Sequence, residues 1–247
     1  MIWVRKLAVT PHLEGVGRFD RSGHLSVLLA GLPDCDLAVA LGDGTGGFRE
    51  TLVKSNLHVE NSETVIIGDM NHDGCDDLTV IGDEVRTYWC DGNGGFVPSP
   101  MAPYRIEQRP SMVAFADLNH DRVVDAVLAC KATDAGEARR SIYVEMGQAT
   151  GQSRPMRGSP FPAGRGTHAV AVGDVNGDDV PDIVVANDVD NTLTVLEGAD
   201  GTMRVAATID LKHEPELLAV ADLNGGRRDD IIVVNQSDSK VTILFSQ

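Results

Sequence analysis

Short apolar runs and polar clusters alternate along this chain with the spacing of strands and turns. Between residues 64 and 98 the runs TVIIG, DLTVI and EVRTYWC, and a fourth beginning at Phe96, are bounded by Gly, Asp and Asn. They read as four consecutive strands. DIVVAN (182–187) and DIIVVN (230–235) are apolar without alternation, so both faces of each strand must be buried. The runs that precede them, and their counterpart near residue 112, are AVAVG, LLAVA and MVAFA. Residues this small suit strands that converge on a common axis.

The pattern repeats. EGVGRFDRSGHLSVLLAG, VIIGDMNHDGCDDLTVIG, AFADLNHDRVVDAVLAC, AVGDVNGDDVPDIVVAN and AVADLNGGRRDDIIVVN are five copies of one block. The first loop position of the block falls at residues 18, 69, 117, 174 and 222, a period of about fifty residues. The longest interval contains a polar insertion, KATDAGEARR (131–140). Four-stranded units, buried by their neighbours and converging on an axis, predict an all-β fold: a β-propeller of four-stranded antiparallel blades forming one domain over residues 1–247. The last unit stops after its third strand, KVTILFSQ, and MIWVRKLAVT precedes the first. Pairing of these N- and C-terminal strands would close a five-bladed ring and remove its exposed edges. A fragment of a larger ring cut at the same point has the same pattern.

The loop that joins the first two strands of each unit carries the chemistry. In DMNHDGCDD, oxygen donors stand at Asp69, Asn71, Asp73 and Asp77, with the backbone carbonyl of Cys75 between them and Gly74 at the sharp turn. Calcium takes six to eight oxygens, and donors at positions 1, 3, 5, 7 and 9 of a short loop can converge on one ion. The rival reading, an EF-hand, needs Glu at position 12 and flanking helices. Position 12 is Val80, and the flanks read as strands. The third loop offers Asp117, Asn119, Asp121, Asp125 and the Val123 carbonyl, with Arg122 where Gly is preferred. The fourth offers Asp174, Asn176, Asp178, Asp182 and the Val180 carbonyl. The fifth keeps Asp222, Asn224 and Asp230 but has Gly226 at position 5, and Arg227 and Arg228 could neutralise its carboxylates directly; it is a weak metal candidate. The first, with Arg18 at position 1 and Ser26 at position 9, is expected to be metal-free. The reading is therefore about three calcium ions, structural in role.

The repeated DxNxDGxxD loop followed by an apolar strand, with DGTGGF (43–48) and DGNGGF (91–96), resembles the FG-GAP/VCBS repeats of propeller proteins, a group that includes integrin α-subunit propellers. The resemblance implies a calcium-stabilised propeller used in extracellular or cell-surface adhesion and recognition, usually with more blades than five.

The formal net charge of −16 excludes a general nucleic-acid or anionic-membrane surface. Much of it sits in the second, third and fourth loops, where bound cations would relieve the repulsion. Cys35, Cys75, Cys90 and Cys130 show no CxxC spacing and read as free buried thiols rather than as a zinc or redox site. No apolar run reaches the length of a membrane span, and MIWVRKLAVT lacks the apolar core and cleavage site of a signal peptide. Gly42, Gly44 and Gly47 match a dinucleotide fingerprint, but no helix follows and the motif recurs in DGNGG, so a hairpin turn is the reading. His72 and His120, at loop position 4, are expected to face solvent. Asn235, Gln236 and Ser237 form a glycosylation sequon.

No nucleophile with an adjacent base and no GxSxG, HExxH or P-loop appears, so the expectation is a non-enzymatic, monomeric module that binds a protein partner through its loops. A carbohydrate-binding propeller is the alternative, weakened by an aromatic content of 4%. A non-catalytic part of a larger enzyme or surface protein is another. The distinctive surface is the segment from Lys131 to Gly166, which carries Arg139, Arg140, Arg154, Arg157 and Arg165.

Overall fold

The computed structural model describes residues 12–32, 35–49, 53–55, 57, 64–81, 85–100, 110–130, 140–148, 152–235 and 239–246. They belong to two compact units, Met1–Pro103 and Tyr104–Gln247.

The first unit holds two four-stranded antiparallel sheets. One runs in the order β1 (His12–Gly17), β2 (Ser26–Leu32), β3 (Cys35–Ala40) and β4 (Val53–Ser55). The other runs β5 (Thr64–Gly68), β6 (Asp77–Ile81), β7 (Val85–Cys90) and β8 (Phe96–Pro98), matching the strands legible in its sequence. Phe19, Leu28, Leu37, Leu78 and Tyr88 fill the core, and Phe19 meets Phe96 edge to face at 5.6 Å.

The second unit holds three sheets. The first comprises β9 (Pro110–Ala116), β10 (Asp125–Cys130), β11 (Arg140–Gly147) and β12 (Ser153–Pro155), with β13 (Phe161–Pro162) folding back onto the far end of β11. This fifth strand departs from the four-stranded expectation; the long stretch after β12 has the length to return and pair. The next sheet is β14 (Thr167–Gly173), β15 (Asp182–Asn187), β16 (Thr192–Ala199) and β17 (Thr202–Asp210). Among the described residues the last has three strands, β18 (Leu217–Ala221), β19 (Asp230–Asn235) and β20 (Lys240–Leu244). As its unbroken apolar run requires, β15 is buried at every residue, and so is β10. In β19, by contrast, Ile232 and Val234 are only half-buried, so one face of DIIVVN is less covered than expected. On β20 and just beyond it, Val241, Ile243 and Phe245 remain exposed. MIWVRKLAVT, the expected partner of this sheet, lies outside the described residues, as does most of KATDAGEARR.

All five sheets set the loop in one register. Gly17 pairs with Ser26, Gly68 with Asp77, Ala116 with Asp125, Gly173 with Asp182 and Ala221 with Asp230. Position 9 of each loop is thus the first residue of the second strand. The DGTGGF and DGNGGF segments are hairpin turns, each closed by an Asp that accepts N–H groups within the turn, at Thr45 and Gly47 in one and at Asn93 and Gly95 in the other.

The expectation of four free thiols fails. Cys75, at loop position 7, and Cys90, at the end of β7, are joined as a disulfide with Cα atoms 5.9 Å apart. Sequence spacing hides this because the ladder between β6 and β7 is what brings them together. Cys130 is buried, and burial pushes its thiol up to about 12.

Candidate functional site

The four aspartate loops share one backbone. Position 6 is left-handed in each, at Gly74 (φ 87), Arg122 (φ 68), Asp179 (φ 63) and Arg227 (φ 64). So is position 4, at His72 (φ 59), His120 (φ 58), Gly177 (φ 81) and Gly225 (φ 76). Glycine takes this conformation freely, and an L-side chain is strained in it. Three of the four loops therefore hold a non-glycine residue at position 6 against its preference.

Side chains hold that backbone in place. In the second loop, Asp69 accepts the N–H groups of Asp73 and Gly74 at 3.0 and 2.9 Å. Asn71 Oδ1 accepts from Asp73 and Asp73 from Cys75. The third loop repeats this with Asp117, Asn119, Asp121 and Val123, and the fourth with Asp174, Asn176, Asp178 and Val180. The fifth repeats only part of it. Asp222 and Asn224 accept as expected, but Gly226 leaves position 5 without a carboxylate, and Asn224 Nδ2 turns onto both oxygens of Asp230 at 3.3 and 3.2 Å. Four N–H donors, that of Arg227 foremost, hold Asp222 below the usual carboxylate range, outweighing slight desolvation. The Arg228 side chain lies against Gly177 of the fourth loop.

Position 9 does more than the sequence indicated. Asp77 is fully buried; one oxygen accepts Met70 N–H at 3.0 Å and the other Cys90 N–H at 2.8 Å. Asp125 bridges Leu118 and Gly147, Asp182 bridges Val175 and Gly198, and Asp230 bridges Leu223 and Ser246. Each of these carboxylates pins the loop to the end of the third strand. Even Ser26 does half of this, accepting from Gly42 at 3.2 Å. Desolvation raises Asp77, Asp125 and Asp182 to about 6, partly offset by those two N–H donors and reinforced by neighbouring loop aspartates.

The third strand must pass close beneath the loop. A Cβ added at Gly42, Gly147 or Gly198 would stand 2.1, 2.2 or 2.8 Å from the position-8 carbonyl oxygen of Leu25, Val124 or Pro181. Glycine is required there by close approach rather than by φ.

Loops of neighbouring sheets are also joined. Asp229 N–H donates to the Asp174 carbonyl at 2.7 Å, and Asp174 N–H returns to the Asp229 carboxylate at 2.9 Å. Asp76 and Arg18 make the same exchange, at 2.8 and 2.5 Å. His72 and His120 are exposed as expected, and between the third and fourth loops His120 Nε2 also meets the Asp179 carbonyl at 2.8 Å. In the first loop, burial would push Asp20 up, but hydrogen bonds from Ser22 and the Arg49 guanidinium at 2.7 Å hold it below its ordinary value. A guanidinium thus stands against a loop carboxylate in the first loop.

The donor sets of loops two, three and four are all oxygen and fit a hard cation. As they lie, the carboxylates are turned onto the loops' own amides, and among the described residues no three acidic, imidazole or thiol groups stand close enough to hold a metal. Each carboxylate has about four lone-pair sites, so the amide bonds leave acceptor capacity toward an ion. The fifth loop fits poorly, because the Asn224 amide occupies the space between positions 3 and 9.

Other candidates divide. Arg165 is paired with Asp190 at 2.6 Å, Arg154 and Arg157 line a groove, and Arg139 lies outside the described residues. Asn235 of the sequon is buried, its amide donating to the carbonyls of His213 and Glu214, so the folded chain does not offer it for glycosylation.

Residues 69–128 match the FG-GAP-like repeat family. No curated protein sequence matches the chain. Among solved structures, BBS1N in complex with ARL6DN, from a crystal soaked with lead, is similar at 11% identity with a TM-score of 0.56, covering 98% of this chain and 64% of that one. A second structure of that complex, soaked with mercury, gives 11% identity and a TM-score of 0.52 over 90% of this chain and 57% of that one. The chain therefore spans less than two thirds of these two chains. The likeness concerns the fold.

Proposed function

We propose that this chain, which carries an FG-GAP-like repeat, is a non-enzymatic calcium-binding propeller module that recognises a protein partner. The observation that carries it is the recurrence of one loop geometry at Asp69, Asp117 and Asp174, with oxygen donors at positions 1, 3, 5 and 9 in the same register. Calcium, when bound, would neutralise these carboxylates and stiffen the hairpins; the chain's own residues set the loops in place. In this reading the five sheets are the blades of a closed, monomeric ring, with MIWVRKLAVT as the fourth strand of the last blade. The exposed Val241, Ile243 and Phe245 are the apolar surface such closure would protect. The similar structure of BBS1N is a complex with ARL6DN, which supports protein recognition as the use of such a scaffold.

Selection of a random peptide display library on the calcium-loaded protein tests recognition. Reproducible enrichment of a sequence class supports it; no enrichment over a denatured control contradicts it.

A further inference from the structure

A groove of about 330 Å³ opens in the second unit where the third and fourth loops approach the outer strands of their sheets. Its floor is sulfur-rich: Met146 on β11, Met156 just after β12 and Met203 on β17 belong to the core cluster yet line the groove. Methionine is unbranched and polarisable, and it adapts to differently shaped apolar groups.

Two cations stand at the wall. Arg157 is held in place twice, Nη2 donating to the Asp200 carbonyl at 3.0 Å while its own carbonyl accepts Thr202 Oγ1 at 2.6 Å. Arg154 is exposed on β12. Among the described residues, Arg49, Arg165 and Arg204 are each paired with a carboxylate, while neither groove arginine is. One carboxylate lines the groove, that of Asp200. In a chain of net charge −16 this is a local cationic spot over an apolar floor.

We infer that this groove binds an acidic peptide segment of a protein partner, an apolar side chain seated on the three methionines and flanking carboxylates meeting Arg154 and Arg157. Charge complementarity selects this occupant. Guanidinium groups make charge-assisted, bidentate bonds to carboxylates. An extended polyanion would meet repulsion from the acidic remainder of the surface, whereas a short acidic segment needs only the groove. The inference rests on the recognition reading above and adds the site and the chemistry of the ligand.

The probe is a fluorescein-labelled peptide of alternating leucine and glutamate, with its glutamine counterpart as control, read by polarisation against the full chain. The glutamate peptide binds and the glutamine peptide does not; Arg154→Ser and Arg157→Ser each weaken binding by about fivefold, with melting unchanged in Arg154→Ser, which, unlike Arg157→Ser, gives up no side-chain bond among the described residues. Equal binding by the variants, or by the glutamine peptide, overturns the assignment. If this peptide fails to bind while library selection yields binders indifferent to both arginines, the groove falls and recognition stands. If neither binds, both fall. Arginine-dependent binding of phosphatidylserine-containing vesicles without peptide binding would assign the groove to a membrane surface and overturn the peptide reading.

Discussion

Asp229 and Asp174 join the loops of neighbouring sheets by a reciprocal pair of hydrogen bonds, 2.7 Å from Asp229 N–H to the Asp174 carbonyl and 2.9 Å back from Asp174 N–H to the Asp229 carboxylate. The residues are position 8 of one loop and position 1 of the loop before it. Asp76 and Arg18 occupy the same two places and make the same exchange. Where position 8 is Val124 or Pro181, no carboxylate is available to complete it. Loop aspartates therefore divide into those that hold their own loop and those that fasten one sheet's loop to the next.

Asp229→Ala should destabilise the chain by about 1–3 kcal/mol, since it leaves the half-buried Asp174 N–H without its acceptor. Asp229→Asn, which keeps a carbonyl oxygen, should cost less. Urea denaturation of the two variants beside wild type reads the difference; equal loss in both would show that charge rather than the hydrogen bond matters.

Gly147→Ala should cost about 1–3 kcal/mol, because the added methyl stands 2.2 Å from the Val124 carbonyl and 2.9 Å from Val123 Cγ1. Thermal melting measures it. The same change at Gly201, which has nothing within 4 Å but a φ of 70°, tests φ strain without overpacking.

Arg122→Gly should raise stability by up to about 1 kcal/mol, the relief of a left-handed side chain less the entropy that glycine adds to the unfolded state. Equilibrium denaturation in chelator reads this effect without contribution from metal.

The pH dependence of the metal-free chain follows from burial. Asp77, Asp125 and Asp182 titrate near 6 when folded, against an ordinary value of 3.8. Between these values the folded chain binds more protons than the unfolded one, so stability falls as pH rises from about 4 to about 6 and stays reduced above. Asp20, held low, has the opposite sign: its contribution is present above its ordinary value and is lost as pH falls through its folded value. Melting in chelator should accordingly be higher near pH 5 than near pH 7, and calcium should shrink the difference by holding the three carboxylates ionised. A metal-free profile that rises from pH 5 to pH 7 would contradict the burial argument.

Much of the fold was legible because hydrophobic burial writes itself along the chain. DIVVAN declared a strand buried on both faces, DIIVVN a strand that proves fully buried on one face only, and the turns DGTGG and DGNGG declared hairpins. Positions 1, 3 and 5 stood out in the sequence as oxygen donors at fixed spacing; in the structure their side chains accept N–H groups of the loop that contains them. What sequence could not give are relations across the ladder. The N–H groups that Asp77 and Asp125 accept come from Cys90 and Gly147, on a strand whose register no local pattern states. The Cys75–Cys90 disulfide was hidden for the same reason. Asp76 and Asp229 carried a faint signal, an extra acid beside position 9, which reads in sequence as surplus charge.

Calorimetric titration of chelator-treated protein with calcium tests the central claim most directly, using Asp174→Asn and Asp222→Asn beside wild type. The account predicts about three sites, with magnesium held more weakly, one site fewer in Asp174→Asn and no change in Asp222→Asn. No uptake by the wild type, or loss of a site in Asp222→Asn but not in Asp174→Asn, would contradict it.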